Sequence, residues 1–270
     1  MTQIDVGGLP LEYVEQGAGD PVVLVHGVLC DLRVWRNQMD ILSRGHRVIA
    51  YSRRNHYPNP WSEYPKSYSL ALEREDLVGL IKGLGLGPVH LVGNSLGAAI
   101  AALVARDNPE VVRTLVLNDP ALRAIISSDP GAGAINELAS RVARSTKERI
   151  NAGDLEGGAK IWTDFLRGEG AFEKLSSAVQ VVVVQNTRPL LAELTDTPEP
   201  FACEDAKRIS MPTLVMSGDP SPPPFQRIDE RIAECIPHAE SEAVPFASHA
   251  PFMQNPAFFN LAVLKFISRR

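Results

Sequence analysis

Gly93-Asn94-Ser95-Leu96-Gly97 is the segment whose residue types and spacing most directly offer chemistry. A serine held in a sharp strand-to-helix turn needs small neighbours two residues to either side, because a Cβ there would collide with the adjoining strand and helix. Spacing alone is weak evidence in a chain with 20 glycines. Context makes it specific: Val89 to Val92 reads as a strand, and Leu96 to Arg106 as a helix whose start, Gly97-Ala98-Ala99, is small enough for close packing. The segment predicts a nucleophile elbow with Ser95 as the nucleophile.

The elements that must position such a serine follow from hydrophobic periodicity. Thr2 to Val6 and Leu9 to Glu15 alternate around Gly7-Gly8 and read as a β-hairpin. Pro21 to Val25 is a continuous apolar run, the pattern of a parallel strand covered on both faces. Leu32, Trp35, Met39 and Leu42 then recur at helical steps, Arg47 to Tyr51 is a strand, and Leu70 to Leu86 a helix. After Val89 to Val92, the Leu96 helix and a strand at Thr114 to Leu117, the alternation stops for far longer than the loops of compact α/β units allow. It resumes at Pro212 to Met216, with a helix over Phe225 to Cys235, a short strand near Glu242 to Val244, and a closing helix capped by Asn255 with Pro256 in its first position. The expected fold is α/β: a mostly parallel sheet with helices on both faces. Its core comprises residues 1–120 and 207–270, and a helical insertion over 121–206 lies above the carboxyl ends of the strands, where open α/β sheets bind ligands. Within the insertion, Ile135 to Ile150 and Ala159 to Leu166 read as helices; Val181 to Val184 suits either a strand or a helix.

Composition bounds the function classes. At 44% hydrophobic and 22% charged residues the chain is a folded globule, and a net charge of −5 is too mild for a nucleic-acid or membrane surface. The N-terminus lacks the basic start and apolar run of a signal peptide, and no stretch reaches the length of a membrane span, so a cytoplasmic protein is expected. Cys30, Cys203 and Cys235 match no zinc spacing and read as buried or free thiols in a reducing compartment. No metal or nucleotide signature is present, and no cofactor is expected.

Three motifs in order then resemble the α/β-hydrolase superfamily across nearly the whole chain. The serine elbow is the central one; His26-Gly27-Val28-Leu29 resembles the family's oxyanion loop, and Ser248-His249-Ala250-Pro251 with Asn255-Pro256 and Phe259 its C-terminal histidine segment. The resemblance implies a serine hydrolase that forms an acyl-enzyme on Ser95. His249 would act as base and then acid, and the backbone amides of Val28 and Leu96 would hold the developing oxyanion. The orienting acid departs from the commonest pattern, because Ser221 stands where many members carry aspartate after the strand near Thr213 to Ser217. Asp119, at the end of the preceding strand, is favoured; Asp219, beside a stiff Pro-rich loop, is the alternative.

The same resemblance implies a small-molecule substrate, an ester, thioester, diketone or related carbonyl compound. Apolar residues of the insertion, among them Leu122, Phe165 and Phe201, suggest that it is mainly hydrophobic. Aspartate stands at the Ser95 position in epoxide hydrolases and haloalkane dehalogenases, so their chemistry is not expected. A lyase, an acyltransferase, a cofactor-free tailoring enzyme or a ligand receptor would use the same fold differently. Arg53, Arg54 and His56 suit either an anionic substrate group or, as the favoured reading, a solvated loop.

Overall fold

A computed structural model describes residues 1–61, 68–195 and 199–270. The hairpin forms as expected from β1 (Thr2–Val6) and β2 (Leu9–Gln16), followed by β3 (Pro21–Val25), α1 (Arg36–Leu42), β4 (Arg47–Tyr51), α2 (Leu70–Gly83), β5 (Val89–Asn94), α3 (Leu96–Asp107) and β6 (Val112–Asn118). The interruption holds α4 (Ala132–Asn151), α5 (Leu155–Arg167), α6 (Ser177–Gln185), α7 (Leu190–Glu193) and α8 (Cys203–Ala206). The alternation then closes with β7 (Thr213–Gly218), α9 (Pro223–Cys235), β8 (Ala239–Val244), α10 (Pro251–Gln254) and α11 (Pro256–Ile267).

Eight strands make one sheet in the order β1-β2-β4-β3-β5-β6-β7-β8. Only the pairings made by β2, with β1 and with β4, are antiparallel. Period-two alternation sends Val23, Val25, Leu91, Leu115 and Val215 to one face, against α2, α3 and α9, and Val22, Leu24, Val92, Val116 and Met216 to the other, against α1 and α11. Both faces of the central strands are therefore covered, which is why β3 and β5 read as unbroken apolar runs. At the edge, β8 stays largely exposed and carries Glu240 and Glu242, charges that discourage pairing with another chain.

The four valines at 181–184 lie in α6, a helix; Val183 and Val184 pack against the small core that also holds Trp162, Phe172 and Leu190, which outweighs the β preference of the run, while Val181 stays exposed. The ends of the interruption belong to the main core instead: Leu122 and Phe201 are buried there, so of the three apolar residues expected around a ligand only Phe165 reaches the cavity.

Two expectations are corrected. Cys203 and Cys235 are not free thiols but a disulfide that joins α8 to α9; the spacing of 32 residues gave no hint that the two helices pack side by side. Cys30 remains free, and the thiol argument for a reducing compartment falls with the pairing. Among the described residues no helix is long and apolar enough to cross a membrane.

The second correction concerns Arg53, Arg54 and His56, which are not a solvated loop. Arg53 is fully buried; it donates to Glu73 of α2 at 2.8 Å and to Glu193 of α7 at 2.6 Å. Arg54 makes a two-pronged pair with Asp76. His56 is buried beside Arg53, and burial, then the nearby guanidinium, holds its pKa well below the ordinary imidazole value. Sequence shows the charges but not the carboxylates, one of which is 140 residues away.

Candidate active site

Ser95 sits between β5 and α3 with φ 54°, a left-handed conformation that a non-glycine residue adopts only when its surroundings impose it. The flanking glycines make the turn possible. A Cβ on Gly93 would lie 2.6 Å from Ala98 Cα, and one on Gly97 would strike the carbonyl oxygens of Val25 and His26. Leu29 (φ 56°) and Asp119 (φ 42°) also have positive φ, so strained backbone gathers beyond the ends of β3, β5 and β6.

From these ends the side chains converge. His249, in the loop between β8 and α10, places Nε2 3.0 Å from Ser95 Oγ and Nδ1 3.1 Å from Asp119 Oδ2. A carboxylate only accepts, so Nδ1 carries the proton and Nε2 is left to accept from the serine hydroxyl. All three residues are buried. Asp219, the alternative acid, is exposed, and its hydrogen bonds run through its backbone to Val244 and Gln226.

Ser221, standing where relatives often have the acid, donates to the same Asp119 oxygen at 2.7 Å while its Oγ accepts from Gly218 N–H. The serine thus helps to hold the Asp119 carboxylate in place. Asn94 Nδ2 donates to Asn118 Oδ1 and to the His249 carbonyl, tying the histidine loop to the ends of β5 and β6. Phe225 of α9 lies against the imidazole, with ring centroids 4.1 Å apart. Sequence reading missed Phe225 and the neighbouring Asp229. The available signal was a carboxylate set into the apolar Ile228–Ile232 face of α9.

Val28 and Leu96 both border the cavity at Ser95, which measures about 370 Å³. Its wall is mostly apolar: Ile135 and Leu138 of α4, Trp162 and Phe165 of α5, and Ile228 of α9. Among the described residues two cations border the space near the serine. Arg123 reaches the main cavity, and Arg167 a smaller adjoining recess that also touches Ser95 and His249. Burial alone lowers the pKa of Arg123; burial also lowers that of Arg167, opposed only by the Cys30 thiol.

His26 is tied into the surrounding backbone. Its Nε2 accepts from Arg53 N–H and its Nδ1 donates to Gly27 O, and burial followed by the Arg53 charge keeps it neutral. His90 contacts Thr114 Oγ1, and His238 is exposed.

The sheet order, the elbow and the strand-end loops define an α/β-hydrolase architecture. The chain belongs to the alpha/beta hydrolase family, whose model matches residues 22–262. It is 26% identical over 280 residues to the non-heme chloroperoxidase CPO-A1 of Kitasatospora aureofaciens, covering 97% of each chain. It is 27% identical over 282 residues to a 2-hydroxy-6-oxo-6-(2'-aminophenyl)hexa-2,4-dienoic acid hydrolase of Metapseudomonas resinovorans, covering 99% of this chain and 90% of that one. A thermophilic esterase from Thermogutta terrifontis shares the fold with a TM-score of 0.81 at 22% identity, over 100% of this chain and 99% of the other.

Proposed function

We propose that the protein is a serine hydrolase that cleaves a carbonyl substrate through an acyl-enzyme on Ser95. The observation that carries this reading is the unbroken relay from Ser95 Oγ through His249 to Asp119 at the floor of an apolar cavity. His249 Nε2 takes the hydroxyl proton as Oγ attacks the carbonyl carbon, and Asp119 stabilises the imidazolium that forms. The Val28 and Leu96 amides hold the oxyanion, each worth on the order of 3 kcal/mol of barrier. The leaving group departs with the proton from His249, and water repeats the sequence to release the acid. The helices α4–α7 act as the cap that shapes the pocket over residues 121–206. The expected partner is a small molecule, and no cofactor takes part in these steps.

Two cations at the site favour a substrate that carries a carboxylate as well as an apolar body. Arg123 and Arg167 face the cavity and its recess, no carboxylate among the described residues acts on them, and each would gain a charge-assisted bond from an anionic substrate. The Metapseudomonas resinovorans relative is named as the hydrolase of a dienoic acid, a substrate that carries a carboxylate beside an apolar aromatic body.

Intact-protein mass after exposure to a serine-reactive phosphonate tests the mechanism. One adduct on the wild type and none on Ser95→Ala supports it; no adduct on folded wild type refutes it. Comparing a neutral ester with its carboxylate-bearing analogue, on the wild type and on Arg123→Met and Arg167→Met, tests the substrate class. A preference for the acid that both substitutions leave intact would refute anion recognition.

A further inference from the structure

Behind the Ser95 site lies a carboxyl group that the mechanism does not use. Asp229 of α9 is 6% exposed, and neither of its side-chain oxygens meets a hydrogen-bond donor among the described residues. Asp119 Oδ1 is also buried without a donor, whereas Asp119 Oδ2 is supplied by Ser221 and His249. Three buried acceptors in one place would be costly as two bare carboxylates. Asp119 acts directly on Asp229, and two neighbouring carboxyl groups that no N–H or O–H reaches are relieved when one proton lies between them.

The proton's owner follows from the neighbours. Asp119 Oδ2 already accepts from His249 Nδ1–H and the Ser221 hydroxyl, so its neighbours are donors that call for an acceptor. Among the described residues Asp229 faces like charge: Asp119 and, on its own helix, Glu230. Arg123 belongs to the short turn over Arg123–Ile126 packed against α9, and on α9 itself Arg227 pairs with Asp129 and Arg231 with Glu234, yet no cation among the described residues acts on Asp229; Glu204 and Asp205 of α8 and Glu240 and Glu242 of β8 bring no positive charge either. Burial first, then Asp119, holds the Asp229 carboxyl well above the ordinary range.

We propose that Asp229 is a positioning residue for the Ser95 site: its carboxyl stays protonated at neutral pH and donates to Asp119 Oδ1, holding the acid in line with His249. The proposal rests on the serine-hydrolase reading. The placement on α9 supports it, since Phe225, Ile228 and Asp229 stand at helical steps of three and four and share the face turned to the site. One helix therefore packs the imidazole, lines the cavity and steadies the acid.

Two measurements test this together, infrared difference spectra of wild type against Asp229→Asn at neutral pH and the phosphonylation rate of Ser95 in each variant. A protonated-carboxyl C=O stretch should be present in the wild type and lost in Asp229→Asn. That variant keeps an amide N–H donor and should label at close to the wild-type rate. Asp229→Ala removes the donor and should label about 10- to 100-fold more slowly, the range for a hydrogen bond to a charged acceptor. Carboxylate bands in place of the C=O stretch would overturn the proposal, as would wild-type labelling by Asp229→Ala. If Asp229→Ala does not fold, Asp229→Asn and the infrared band still decide it. Absence of labelling in the wild type would instead overturn the serine-hydrolase reading, with the infrared result still locating the proton.

Discussion

Replacing Asp119 by asparagine should cost the site far more than the same change at Asp219. In the proposed mechanism His249 becomes an imidazolium as Ser95 attacks, and its Nδ1 lies 3.1 Å from Asp119 Oδ2. At an effective dielectric of about 20, that charge pair is worth about 5 kcal/mol. Its loss corresponds to about a 10⁴-fold slower reaction. Asparagine adds a second fault: its amide N–H would donate to Nδ1, leaving the proton on Nε2, where the imidazole can no longer accept from the serine. Asp219 is exposed and touches the site through neither oxygen, so Asp219→Asn should stay within about twofold of wild type. The assay is the second-order rate of phosphonylation of Ser95 near neutral pH, which needs no knowledge of the substrate. Thermal unfolding of each variant separates lost chemistry from lost fold. Comparable losses at the two positions, or a larger loss at Asp219, would refute the assignment of Asp119 as the acid.

Ser221→Ala removes a donor from a buried carboxylate and leaves Gly218 N–H without its acceptor, so urea unfolding should show a loss of about 1.5–3 kcal/mol; an unchanged midpoint would contradict the contact. Glu73 is pushed up to about 7 by burial and by Glu193, against the pull of Arg53, while its ordinary value is 4.5. The folded protein thus holds a proton that the unfolded chain releases near 4.5. The resulting stabilisation is full below about 4.5 and lost as pH rises through about 7, on the order of 3 kcal/mol in all. Glu73→Gln should flatten that part of the stability–pH curve relative to wild type; an identical slope would refute it. Reducing the Cys203–Cys235 bond, which spans 32 residues, should lower stability by about 3–4 kcal/mol through the freed unfolded chain, measured by denaturant titration with and without a thiol reductant.

What was legible in the sequence was local or periodic. The elbow could be read because Gly93 and Gly97 flank a serine at the one junction where a side chain would strike the neighbouring backbone. The strands β3, β5 and β6 could be read because burial on both faces leaves no place for alternation. The helical interruption was visible as a break in rhythm, and α11 through the Asn255 cap and Pro256. Each of these rests on neighbours within a few positions, which is the range over which residue type constrains backbone.

Contacts across the chain were decided by the tertiary structure. Asp119 and Asp219 end adjacent strands and carry the same group; only the fold brings Asp119 to His249 across 130 positions and leaves Asp219 in solvent. Arg53 looked solvated until Glu73 and Glu193 arrived from α2 and α7, and Cys203 looked free until α8 packed on α9. Whether Asp229 carries a proton depends likewise on which charges surround it, Asp119 foremost. The sequence by itself determined which backbone turns and apolar faces could form, because those depend on local sterics and period. The fold alone decided which buried charge meets which partner, because electrostatic and hydrogen-bond energies depend on distances in space that sequence separation does not encode.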